Sequence, residues 1–80
     1  MEINVQLLGA RKAKTKGYYV NVIHNGNFGS YYCQELPKDV KVVQKGDNLE
    51  FEDSPFASMV LGVRYWKGSP MLEVQSIVLS

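Results

Sequence analysis

Basic and aromatic side chains that could bind nucleic acid are concentrated in the first half of the chain. Four basic residues lie within a six-residue stretch, and the pair Tyr18-Tyr19 follows almost at once, with a second pair, Tyr31-Tyr32, further on. Positive charge follows a phosphate backbone and aromatic rings stack on unpaired bases, so this pattern is typical of proteins that bind single strands regardless of sequence. The four basic residues are Arg11, Lys12, Lys14 and Lys16.

The charges are segregated along the chain, although the net charge is only +1. Residues 1–34 carry those four basic residues against Glu2, a net of +3, whereas residues 46–80 carry two basic and five acidic residues, a net of −3. Such a chain can present a basic face to phosphates and an acidic face to solvent. An ordinary solvated loop would also explain four charges, so charge alone does not decide between the two interpretations.

The length of 80 residues and the 45% hydrophobic content indicate one folded domain over residues 1–80. Domains this short bury only about 60% of the surface of the unfolded chain, so we expect a homodimer. The single Cys33 cannot form an internal disulfide, and the chain shows neither a signal peptide nor an apolar run long enough to span a bilayer. These features predict a cytoplasmic protein without membrane contact.

The elements that must position the basic and aromatic residues are strands, because apolar and polar residues alternate through most of the chain. The alternation predicts strands over residues 3–7, 18–23, 30–36, 49–52, 59–66 and 71–79, with Asn25–Gly29 as a long hairpin tip. No segment has a convincing helical period. We predict an all-β fold, a small five-stranded OB-fold-like antiparallel barrel, because closure protects edges that a sandwich of this size would expose.

Alternation also predicts which tyrosine of each pair faces outward. Tyr18 shares a face with Val20 and Val22, and Tyr31 shares one with Cys33, so Tyr19 and Tyr32 should lie together on the outer surface. The alternative is that each tyrosine caps the barrel with its hydroxyl in water.

Three stretches resemble OB-fold single-strand-binding proteins. Val42–Glu52 resembles the turn into their fourth strand, Met71–Leu79 their closing strand, and Ile3–Val20 their first two strands with the basic loop between them. In size and order of parts the chain resembles the small single-stranded-DNA-binding proteins of filamentous phages, which are OB-fold homodimers that coat DNA cooperatively.

This resemblance implies a protein of DNA replication and a role in DNA binding for each matching residue. The basic residues of the first loop would contact phosphates, Tyr19 and Tyr32 would stack on bases, and a late hairpin would complete the site. If the arm of that hairpin is Tyr65–Pro70, it is short for the family. The hairpin residues implied in binding are Arg64, Trp66 and Lys67.

Two aromatic residues near hairpin tips, Phe28 and Trp66, are expected to be partly exposed. Exposed aromatics favour a ligand or partner role, although each ring could instead fold back over a barrel mouth. They support two functions from different classes. The first is binding of single-stranded DNA, or of single-stranded RNA. The second is a phage or mobile-element barrel that binds or inhibits a protein partner through Phe28, Tyr65 and Trp66.

The sequence gives little support for catalysis. His24 has no second histidine or suitably spaced cysteine for a metal site, and Cys33 lacks the signature of an activated thiol. Glu50, Glu52 and Asp53 are typical of a solvated strand edge. We therefore expect a non-enzyme that uses neither a metal nor a cofactor.

Overall fold

The computed structural model describes all 80 residues as seven β-strands and their connections, without a helix. No helix of the length and apolarity needed to cross a bilayer is present. The strands are β1 (Glu2–Lys12), β2 (Tyr18–His24), β3 (Asn27–Cys33), β4 (Val42–Lys45), β5 (Asn48–Phe51), β6 (Phe56–Trp66) and β7 (Ser69–Leu79).

Five of these strands close into a barrel in the order β1-β2-β3-β7-β6, with β6 pairing back onto β1. This confirms the predicted small OB-like barrel. Four of the five pairings are antiparallel, as expected. The fifth, between β3 and β7, is parallel and joins Tyr32 to Glu73 and Cys33 to Val74, so the barrel is mixed.

The hairpin of β4 and β5 lies outside the barrel, which corrects the expectation drawn from Val42–Glu52. That stretch forms both strands of the hairpin, and β5 attaches to the end of β1 by pairing Leu49 with Ala10. The fourth barrel strand is β6 instead. Phe51 of β5 is buried in the barrel core, which explains why an apolar alternating segment occurs outside the closed sheet.

The barrel interior is entirely apolar. No polar or charged side chain is buried, and each fully buried aliphatic side chain is worth about 1.5–3 kcal/mol relative to exposure. Tyr18 and Tyr31 pack against this core from its margin. Its members are Val5, Leu7, Ala10, Val20, Val22, Cys33, Phe51, Ala57, Met59, Leu61 and Val74.

Two hairpins turn through two residues each, both with positive φ, as in type I′ turns. In the β2–β3 hairpin these are Asn25 (50°) and Gly26 (78°), so the tip is shorter than the predicted Asn25–Gly29. In the β6–β7 hairpin they are Lys67 (49°) and Gly68 (80°). Every residue from Val63 to Leu72 is exposed, and we call this segment the arm. It is longer than the predicted Tyr65–Pro70.

Candidate nucleic-acid interface

A row of side chains crosses the outside of the barrel from β1 to β7. Arg11 pairs in register with Tyr19, Tyr19 with Tyr32, and Tyr32 with Glu73. Register partners point to the same side of a sheet, so these four side chains share the outer face. The Tyr19 and Tyr32 rings meet edge to face, with centroids 5.8 Å apart and planes at 70°. The structure therefore places the two tyrosines as the alternation predicts.

Tyr32 is held in place by the loop between β1 and β2. Its hydroxyl donates a hydrogen bond of 2.8 Å to the carbonyl of Lys16. Gly17 lies against the same end of the ring, where a Cβ would be 2.5 Å from the tyrosine Oη, and its φ of 88° independently favours glycine. The ring thus fixes the loop, and the loop fixes the ring.

The end of β1 and the loop after it present three exposed lysines beside the two tyrosines. The loop is closed by a backbone hydrogen bond of 3.0 Å from Ala13 to the carbonyl of Gly17. Lys12, Lys14 and Lys16 make no ion pair, and neither does Arg11, whose guanidinium carbon lies 5.1 Å from the centre of the Tyr19 ring. Four unpaired cations therefore lie along one side of the aromatic pair.

The arm supplies the opposite side. The Arg64 guanidinium carbon lies 5.7 Å from the centre of the Tyr32 ring, and its Nη1 is 3.3 Å from Oε1 of Glu73. Trp66 projects from the same face of β6 two residues further along, 56% exposed, with the Lys67 ammonium 6.0 Å from its ring. Arginine over aromatic rings is a frequent attractive arrangement in proteins.

Loop, tyrosines and arm together enclose an open groove of about 590 Å³. It is strongly cationic, because five basic side chains face it against a single carboxylate, that of Glu73. Eight of the ten sequence-predicted binding residues line it, namely Arg11, Lys12, Lys14, Lys16, Tyr19, Tyr32, Arg64 and Trp66.

The other two predicted residues lie elsewhere. Lys67 is at the arm turn beside Trp66, and Phe28 is near the tip of the β2–β3 hairpin, 69% exposed and paired with Ile23. Sequence reasoning missed several lining residues. Gln34 could have been found, because it continues the outward alternation from Tyr32. Glu73 could not, because only the parallel pairing of β3 with β7 brings it to the groove. The missed residues are Ala13, Thr15, Gln34, Met71, Leu72 and Glu73.

Cys33 and His24, the two residues weighed for chemistry, lie outside the groove. The Cys33 thiol donates to the carbonyl of Glu35 at 2.8 Å, and burial raises its pKa, which keeps the thiol protonated at neutral pH. His24 is half-buried, with Nδ1 3.0 Å from the carbonyl of Asn4 and Nε2 3.3 Å from the Asn25 amide. Both side chains make local structural contacts.

Comparison with protein-family models, curated proteins and solved structures gives no match to this chain.

Proposed function

We propose that this protein binds single-stranded DNA, without strong sequence preference and without catalysis, in the groove between the basic loop and the arm. The observation that carries the proposal is the pairing of Tyr19 with Tyr32 at the centre of a cationic groove. Every base has an aromatic face, so stacking on tyrosine is tolerant of sequence and contributes about 1–3 kcal/mol per base. Single-stranded RNA offers the same two features, so the same groove would accept it.

In this arrangement the lysines and the tyrosines would bind different parts of the strand. Lys12, Lys14 and Lys16 would neutralise successive phosphates along one side, while the rings accept the bases. Arg11 already lies over Tyr19, so it can move to a phosphate when a base approaches that ring. Such a protein would act on exposed single strands in the cytoplasm, as in the DNA replication of a phage.

Titration with oligo(dT) at two salt concentrations tests the proposal. Trp66, the only tryptophan, lines the groove, so its fluorescence should report binding directly. We expect saturable binding that weakens steeply with salt, in proportion to the phosphates neutralised. Absence of binding at low salt would refute the proposal.

We further propose that the protein is a homodimer joined through the arm. The arm is a two-stranded ribbon beyond the barrel, and such ribbons are marginally stable alone in water. Val63 pairs with Leu72 and Tyr65 with Pro70 on the face that continues the barrel interior, where no residue of the same chain covers them. A second copy would cover this face by symmetry.

Sedimentation of two matched variants tests the dimer. Val63 on the arm and Val78 on the barrel wall are 61% and 63% exposed, so Val63→Ser and Val78→Ser remove equal apolar surface. We expect Val63→Ser to shift the protein toward monomer and Val78→Ser to leave it dimeric. A parent that sediments as a monomer at micromolar concentration would refute the dimer without affecting the binding proposal.

The alternative function is a barrel that binds a protein partner, and the same arm favours it. Tyr65 is 71% exposed and Trp66 56%, and aromatic side chains often dominate protein interfaces. Phe28 would have to contribute from a separate hairpin. If the protein binds no oligonucleotide and sediments as a monomer, so that the arm is free, this second function would be favoured.

A further inference from the structure

Two arginines cover the two groove tyrosines, but only one of them is restrained. Arg11 lies over Tyr19 without an acidic partner, whereas Arg64 lies over Tyr32 and also pairs with Glu73. Glu73 is the only acidic residue that lines the groove. A carboxylate in a site that should attract phosphates opposes binding unless it has a specific use.

The geometry gives Glu73 such a use. Glu73 stands beside Tyr32 as its register partner, so its carboxylate can hold Arg64 over that ring. Gly62, the register partner of Glu73 on β6, has no side chain to offer the carboxylate. Tyr19 and Gly17 lie against other parts of the Tyr32 ring. A base that is to stack on Tyr32 must therefore move Arg64.

Building on the proposed function, we propose that Glu73 controls access to Tyr32: a base stacks there only when a backbone phosphate takes Arg64 from the Glu73 carboxylate. The pair is suited to such an exchange. The Arg64 side chain is 42% exposed, so a phosphate can reach the guanidinium and compete for it, whereas the Glu73 side chain is only 17% exposed. After the exchange Arg64 becomes a phosphate contact and Glu73 is left without a partner. A fully occupied groove thus requires a ligand that offers a base and a phosphate together.

Glu73→Gln tests this control, with Glu50→Gln as its matched control. Glu50 pairs with Lys45 at 3.1 Å on the β4–β5 hairpin, so the control removes the same charge from a more exposed ion pair outside the groove. We expect Glu73→Gln to bind oligo(dT) about threefold more tightly, since an ion pair whose arginine is open to solvent is worth about that factor. The salt dependence of its affinity should also be steeper than that of the parent. In the parent, the Glu73 carboxylate is left bare on binding and takes up a cation, which offsets part of the cation release from the DNA; the glutamine takes up none. Glu50→Gln should match the parent in both respects.

A double-mutant cycle with Arg64→Gln separates the exchange from a general effect of charge. The exchange requires Arg64, so Glu73→Gln should bring a clearly smaller gain in the Arg64→Gln background, where it only removes the repulsion between the carboxylate and the phosphates. An equal gain in both backgrounds would overturn the inference, and so would weaker binding by Glu73→Gln alone, which would make Glu73 a support for binding. If Glu73→Gln lowers the thermal midpoint markedly, Glu73→Asp withdraws the carboxylate while keeping the charge and should still bind more tightly. A parent that binds no oligonucleotide would refute the proposed function itself, whereas a binding parent with an unchanged Glu73→Gln would refute this inference alone.

Discussion

Tyr18 and Tyr31 on the inner face of the β2–β3 hairpin pack against the barrel core, whereas their chain neighbours Tyr19 and Tyr32 line the groove on its outer face. All four are half-buried, so exposure does not distinguish them. Their surroundings do: the inner pair lies among aliphatic side chains, and the outer pair lies among cations. In so small a barrel, the burial of a tyrosine therefore does not indicate its role, whereas the face of the sheet on which it lies does.

The largest effect should come from the inner face. Tyr31 crosses the space left by Gly29, whose Cβ position is 3.1 Å from its ring. Tyr31→Ala would remove the contacts of this half-buried ring with the core and leave the space beside Gly29 unfilled, so we expect a loss of about 2–3 kcal/mol in the free energy of unfolding. Urea denaturation measures it. A stability equal to that of the parent would show that the inner face does not depend on this ring.

The next effect should come from the cations beside the outer pair. Replacing Lys12, Lys14 and Lys16 together by alanine removes three unpaired charges from the groove. We expect affinity for oligo(dT) to fall about 30-fold at 0.1 M salt and the salt dependence to flatten. Binding of the triple variant at several salt concentrations checks this. An unchanged salt slope would exclude the loop from the site, and replacement of Lys38, Lys41 and Lys45 provides a control with equal loss of charge.

The effect of truncating the outer tyrosine rings should be smaller still, and it should be larger on binding than on folding. We expect Tyr19→Ala and Tyr32→Ala each to reduce oligo(dT) affinity about tenfold through lost stacking. Tyr19→Ala should lower the free energy of unfolding by only about 0.5 kcal/mol. Parallel fluorescence titration and thermal melting measure the two quantities. If both variants unfold, the outer tyrosines are needed for folding as the inner ones are, and the two faces of the hairpin do not differ in function. If both variants fold and bind as the parent does, the bases do not stack on these rings.

The smallest change separates the two tasks of Tyr32 itself. Tyr32→Phe keeps the ring but removes the hydrogen bond to the Lys16 carbonyl. We expect stability to fall by about 0.5–1 kcal/mol, as for a single hydrogen bond, with affinity changed less than about twofold. A tenfold loss of affinity in Tyr32→Phe would mean that the order of the loop, and not stacking, governs binding.

Local alternation was enough to predict the barrel and the outward position of Tyr19 and Tyr32. Alternation reports which side of its own strand a residue occupies, so it carries over to any sheet. It does not report which distant strand lies alongside. For that reason the parallel neighbour of β3 and the position of Glu73 in the groove could not be derived from the sequence. The resemblance of Val42–Glu52 to the turn into a fourth barrel strand was misleading for a related reason: a strand outside the barrel that buries Phe51 alternates like a strand within it.

The pairings of β1 have a consequence for how fast the protein folds. β1 pairs with its neighbour β2, but also with β5 and β6, so that Gln6 must meet Phe56 before the barrel can close. Contacts between residues so far apart in sequence require a large loss of chain entropy before the stabilising contacts form. Barrels dominated by such contacts fold in milliseconds to seconds. During synthesis, β1, β2 and β3 can pair with one another once they leave the ribosome, but closure of the barrel waits for both β6 and β7. The apolar inner faces of these strands are exposed in that interval, which makes the nascent chain most prone to aggregation before β7 emerges.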